Sequence, residues 1–411
     1  MLRRSWWLLF VVFAVTRVGL IYVGVDPSIY GGRDHDIGSD VSIYAGWADG
    51  IIEGDVPYRD EPIEYPPGSL PFIVAPALGK AITGLPYRAF FGAAMLAVDV
   101  LGLIAVLRLV GHQVSRAGPW LWVLGLAALG PVVWTRLDLV PAVATLWALE
   151  RIVARAWTSG GVLLAFGAVA KVFPGFLFLP AAAAAPRRTP FLGAGAATAL
   201  LLLAPFGVVL HPMLSSVAGY HLGRGIQLES VWGGAMLLTG LAGAPVSVEK
   251  RFGAWETLGP GTEALGIAST VLAVGVLAGS VAVAWRRRDE PLRLAGVWFA
   301  TLALLLAVGP VLSPQFMVWL VAVGAGALAV GSDTVRKAAL FLLPLAVLTH
   351  LVYPISYDGL VAMEPVSVWL LTARNAMLAA LAVWSTVGVV RDRPTETHRA
   401  DRGSRRGWEA P

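Results

Sequence analysis

Ten of the chain's 26 carboxylates lie between Asp26 and Glu64, in a stretch that contains "RDHDIGSDVSIYAGWADGIIEGDVPYRDEPIEYPP". Ser39 or Asp40 suits the start of a helix, because its side chain can accept from the first free backbone N–H groups. Ile43, Tyr44, Trp47, Ala48 and Ile51 then recur on one helical face. Such a helix lies on a membrane surface with its aromatic rings at headgroup depth. A carboxylate in its first turn stands at the boundary between water and lipid, where it can take a proton from a hydroxyl. The competing reading is that these acids only solvate an exposed loop. Asp34 and Asp36, in "DHD", suit a hard divalent cation, although a D-x-D triplet fits a solvated turn equally well.

Charges placed inside apolar runs form the second set of candidates, because burying them is costly. Arg136 and Asp138 stand in "PVVWTRLDLVP", and one reading is that they pair with each other. Lys171 follows a short apolar run in "AKVFPG", and Arg374 lies in "LLTARNAMLAAL". Arg224, Gln227 and Glu229 share a polar stretch. His350 is either a satisfied core histidine or part of a site, and Asp99 in "MLAVDVLGL" has a structural reading. Cations recessed near one membrane face suit a lipid-linked phosphate. With a carboxylate beside them, they describe sugar transfer from a polyprenyl-phosphate donor.

The elements that must position these groups follow from composition. The 411 residues are 57% hydrophobic and only 14% charged, with a mean hydropathy of +0.72. Soluble domains are about a quarter charged, and apolar runs recur here from Ser5 to Val390. A crossing helix needs about 20 apolar residues, so the fold expected is an all-α polytopic membrane bundle of about 11 to 13 transmembrane helices. The net charge of +5 is spent on helix ends and on the tail from Arg391 to Arg406; this is membrane anchoring and no nucleic-acid footprint. The absence of cysteine excludes disulfides, thiolate metal sites and thiol nucleophiles. The first run, Ser5 to Val25, follows Arg3 and Arg4 and is expected to be a retained signal anchor.

Basic residues then orient the chain. Residues 1–390 form one membrane domain with its N-terminus inside, external loops at about 26–65 and 211–261, and a disordered basic cytoplasmic tail at 391–411. Only 31 residues separate Arg155 from Arg187, too few for two full crossings. The economical solution is a hairpin of two short helices turning at "AKVFPG", with Pro174 favouring the break and Lys171 facing a wet cavity. Pro66 to Gly84 is expected to be re-entrant or interfacial, and no internal repeat is visible.

The string "SDVSIYAGWADGIIEGDVPYRDEPIEYPPGSLP" resembles the first outer loop of the type C membrane glycosyltransferases of family 87, which are actinobacterial enzymes dependent on polyprenyl-phosphate sugars. The likeness continues in order through "RLDLVPAVATLWAL", "GAVAKVFPGFLFLP", "GRGIQLESVWG", "LSPQFMVWL" and "ARNAMLAAL", while Val231 to Glu263 does not align. The resemblance implies that Asp40 is the general base. Lys171, Arg374, Arg224 and Arg136 are the candidates for the donor phosphate, and Glu229 and Gln315 for sugar hydroxyls, with His350 as a further member. Tyr44, Glu64 and Tyr65 shape the cavity mouth. Inversion gives an α-linked product from a β-linked donor. The implied partners are a polyprenyl-phosphate-sugar donor, a lipid or glycan acceptor and membrane lipids, at the outer face of the plasma membrane. No cofactor is implied, with a divalent metal as the alternative at Asp34 and Asp36. Mannose is the sugar expected and arabinofuranose its rival. A transporter or flippase for lipid-linked glycans, or a non-catalytic assembly partner, is the alternative from another class.

Overall fold

The computed structural model describes residues 2–25, 39–111, 115–251, 253–288 and 290–391. Asp34, Asp36 and the basic tail beyond residue 391 lie outside the described residues.

The fold is a helical bundle. Its first part contains α1 (Leu2–Val25), α2 (Ser39–Glu53), α3 (Leu70–Thr83), α4 (Tyr87–Gly111), α5 (Ala117–Leu129) and α6 (Leu139–Val153). The middle contains α7 (Trp157–Ala170), α8 (Phe173–Ala184), α9 (Arg188–Leu203), α10 (Leu210–Leu222), α11 (Val231–Leu241), then β1 (Ser247–Arg251) and β2 (Ala254–Leu258). The last part contains α12 (Thr262–Arg286), α13 (Pro291–Val308), α14 (Phe316–Val330), α15 (Asp333–Leu340), α16 (Leu342–His350), α17 (Tyr357–Val361) and α18 (Pro365–Arg391).

Six helical segments among the described residues are long and apolar enough to cross a membrane, and six further apolar stretches, one of them within α1, span 10–17 residues. Length alone therefore counts about half of the 11 to 13 crossings expected. The apolar runs are cut short by glycine and proline, as at Gly130-Pro131, where α5 tightens into a 3₁₀ turn. Leu200 and Leu201 on α9, and Ile267, Val271 and Val274 on α12, point outward with well over half of their surface uncovered. Apolar faces of that extent fit lipid and not water.

Asp99 has a structural place. On α4 it accepts from Arg17 Nε at 2.8 Å and Nη2 at 3.0 Å, and from Trp122 Nε1 at 2.9 Å. Arg17 Nη1 also donates to the Val123 carbonyl at 2.7 Å, so α1, α4 and α5 are stapled by one satisfied buried network.

Two expectations of regular structure are corrected. The all-α expectation omits a strand pair: the stretch 211–261, expected as an external loop, holds two helices and an antiparallel hairpin in which Ser247 pairs with Leu258 and Arg251 with Ala254. An all-α reading misses it because "SVEKR" is too short and too polar to carry a strand signal alone. Instead, Leu228 N–H donates to Trp255 at 2.9 Å and Thr257 N–H to Ile226 at 2.8 Å, adding the segment before α11 along β2. The second correction concerns α2. Its buried face is Val41, Tyr44, Trp47 and Ala48, while Ile43 is 47% exposed. At about 100° per residue, Ile43 falls on the edge of that stripe and Asp40 falls within it, between Tyr44 and Trp47.

Candidate functional site

Because Asp40 shares the inward stripe of α2, its carboxylate meets the turn that links α5 to α6. Arg136 Nε lies 2.7 Å from Asp40 Oδ2; the guanidinium side chain is 8% exposed and the carboxylate side chain 25%. Arg136 and Asp138 do not pair with each other. Two residues apart in a turn, they point in different directions, and Asp138 instead binds Lys171, whose Nζ donates to both carboxylate oxygens at 2.8 Å. Arg136 Nη2 approaches the Tyr353 hydroxyl at 3.5 Å.

Lys171 occupies the break of the expected short hairpin. Its backbone is extended, with φ −162° and ψ 135°, between the end of α7 and the start of α8. Pro174 stands in the first turn of α8, where its missing N–H costs nothing. The ammonium lies 4.9 Å from the Tyr65 ring, 5.5 Å from Trp319 and 5.7 Å from Phe316. Phe316 and Trp319 stack on each other at 4.1 Å. The lysine thus sits in an aromatic box, 11% exposed and paired with Asp138, and not facing the wet cavity expected; desolvation strengthens its contacts with the rings.

Tyr44 and Tyr65 close the link between α2 and Lys171, with their hydroxyls 2.9 Å apart. Burial pushes both phenols well above their ordinary range, reinforced by the nearby Asp40 carboxylate, so both remain protonated. Tyr58 donates to the Tyr65 carbonyl at 2.8 Å from a left-handed backbone of φ 70°, which fixes the loop that presents Tyr65. Glu64 is half-buried beside it.

A second polar layer lies around the segment before α11. Gln227 Nε2 donates to Ser313 Oγ at 3.1 Å, and its Oε1 accepts from Leu312 N–H at 2.8 Å. Gln227 therefore locks the loop that leads into Gln315 and Phe316. Arg374 is fully buried; its Nη2 donates to the Glu229 carbonyl at 2.8 Å and stands 3.5 Å from Glu229 Oε2. Arg374 Nε and Nη1 have no hydrogen-bond partner among the described residues. Burial pushes the Glu229 carboxyl up to about 7 against the opposing pull of Arg374. Gln315 and Arg224 are half-buried on the loops beside this layer.

Of the sequence-derived residues, Asp40, Tyr44, Tyr65, Arg136 and Lys171 join one contact network, and Arg374 and Glu229 form a second. His350 goes elsewhere. It bonds to the Leu129 backbone and its ring fills the space where a Cβ on Gly130 would stand, 2.0 Å from Cε1. Four partners were not singled out: Tyr353, Phe316 and Trp319, and Asp138 as the lysine's counter-ion. The rings read as ordinary core aromatics in a greasy chain, and only their stacking around an ammonium distinguishes them. No group of three or more metal-ligating side chains occurs among the described residues. Compared with known proteins, the chain matches no family profile and no curated sequence.

Proposed function

We propose that the chain is a membrane glycosyltransferase that moves a sugar, mannose in the first instance, from a polyprenyl-phosphate donor to a lipid or glycan hydroxyl at the outer face of the plasma membrane. The observation that supports this reading most is Asp40 itself. Its side chain keeps 25% of its surface exposed in a cluster that buries Arg136, Asp138 and Tyr44, and its helix is held in place by packing Tyr44 and Trp47 into the bundle. Asp40 takes the acceptor's hydroxyl proton as that oxygen bonds to the anomeric carbon. The bond from that carbon to the phosphate oxygen breaks, and its electron pair leaves with the polyprenyl phosphate.

The ion pairs supply a charge-balanced route. Before reaction, Asp40 offsets Arg136 and Asp138 offsets Lys171. Proton transfer neutralises Asp40 and unmasks the Arg136 charge in the same step in which the phosphate gains one. Stabilisation that appears as charge develops is the kind that lowers a barrier. Arg136 thus serves as Asp40's partner before transfer and as the phosphate's during it, while Lys171 and its aromatic box form the wall of the site.

The test is to incubate purified protein with radiolabelled polyprenyl-phosphate-mannose and, separately, polyprenyl-phosphate-arabinose, with a membrane lipid extract as acceptor. Label entering the acceptor from one donor, and lost in Asp40→Asn, is the expected result. Movement of intact donor across vesicles with no transfer would support the transporter reading instead.

A further inference from the structure

At the end of the bundle opposite Asp40, the start of α9 meets the end of α12. A cleft of about 490 Å³ opens there, lined by Ala185, Pro186, Arg188 and Arg288. One indole holds both arginines: the Arg188 guanidinium carbon lies 3.8 Å from the Trp285 ring centre and that of Arg288 lies 5.6 Å from it. Arg188 Nη2 donates to the Ala183 carbonyl at 3.3 Å, which fixes the side chain, while its buried Nε has no hydrogen-bond partner among the described residues. Glu290, the described acid just beyond this helix end, is taken by Arg293. Trp285 itself is 46% exposed at the end of an apolar helix, a place where tryptophan suits a membrane interface.

Basic residues at helix ends need no ligand, because anchoring explains them. This pair differs in three respects: the guanidinium groups are oriented by a shared ring, they border a cleft, and one presents a buried N–H that no described residue accepts. Guanidinium forks match phosphate oxygens in geometry and charge, and basic pockets between membrane helices suit anionic headgroups. We propose that this cleft binds a phosphate group, that of an anionic lipid headgroup, with Arg188 and Arg288 as its ligands and Trp285 against the glycerol and upper acyl region. The proposal is independent of the transfer reaction.

The experiment uses the full chain, purified in mild detergent and stripped of lipid. It is titrated with short-chain phosphatidylglycerol, with phosphatidylcholine of the same chain length, and with inorganic phosphate. Bound lipid is read by native mass spectrometry and the unfolding midpoint in parallel. Wild type should retain phosphatidylglycerol over phosphatidylcholine by roughly tenfold or more. Arg288→Gln, at an exposed position with little bearing on folding, should weaken that preference, and the Arg188→Gln/Arg288→Gln pair should remove it. Lys337→Gln/Arg391→Gln, which lowers the charge equally at other helix ends, should leave it intact. Equal loss in both double variants would reduce the site to diffuse charge and overturn the proposal, as would a wild type with no headgroup preference. Stabilisation by inorganic phosphate with no lipid retained would overturn the lipid assignment.

Discussion

A carboxylate that holds a buried arginine and, in the proposed reaction, accepts a proton cannot be replaced without two consequences. Asp40→Asn keeps the shape but removes the charge facing Arg136. Transfer should fall by about 10²- to 10⁴-fold, the usual contribution of a general base, while a lower unfolding midpoint reports the lost partner. A variant that unfolds earlier but transfers at the wild-type rate would remove Asp40 from the chemistry. For Lys171, donor kinetics alone mislead, because its partner Asp138 is fully buried. Lys171→Met should cost about 3–5 kcal/mol, the penalty for a buried charge that loses its counter-ion. Adding Asp138→Asn should recover part of that stability without recovering activity, and a double variant as active as wild type would confine the pair to folding. Glu229 supplies a pH test. Its carboxyl is raised from 4.5 to about 7, so its contribution to stability is fully present below the lower value and is lost as pH rises through the higher. The wild-type unfolding midpoint should fall across that interval, and Glu229→Gln should flatten the fall. An unchanged profile in the variant would assign the titration to another group.

At the scale of elements, the site depends on segments that are barely regular. The turn after Gly130, the extended Lys171 and the loop held by Gln227 each put a polar group where a continuous helix would have buried it. Gln227→Ala should leave the Leu312 N–H and Ser313 hydroxyl without their partner and cost about 1–3 kcal/mol, read as a lowered unfolding midpoint with loosened packing of Phe316 around Lys171. No change in the midpoint would show that the loop is held by its backbone alone. Much of this arrangement was legible in the sequence. Two basic pairs too close for full crossings, with Pro174 between them, located the break at Lys171, and aromatic spacing marked the apolar face of α2, although Tyr44 and Trp47 pack into the protein and not at headgroup depth as expected. Pairing was not legible. Arg136 and Asp138 are neighbours in sequence, yet each takes a partner from a distant segment, and only the fold brings those segments together. The strand pair at 247–258 escaped for a related reason: its register rests on the backbone of residues 226–228, not on its own pattern.

Across the whole molecule, charge is sorted to two ends of an apolar bundle. Asp40, Arg136, Lys171 and Glu229 collect at one end, whereas the Arg108–Glu150 pair and the Arg188 and Arg288 cleft collect at the other. The proposed reaction needs the first end outside, since only there do a polyprenyl-linked donor and an external acceptor meet. A chain with no cysteine permits a direct test of that orientation. Glu53 and Thr189 are both exposed, one at the end of α2 and the other in the first turn of α9. Glu53→Cys should react with a membrane-impermeant maleimide on intact cells. Thr189→Cys should react only after permeabilisation, because the α9 start belongs to the arginine-rich end, which the positive-inside rule keeps in the cytoplasm. The reverse labelling pattern would put Asp40 on the cytoplasmic face, where soluble nucleotide sugars are the natural donors, and would remove the reason for a lipid-linked one. Equal labelling of both positions on intact cells would mean that the two ends do not lie on opposite sides, and the short helices would then have to be read as re-entrant pairs and not as crossings.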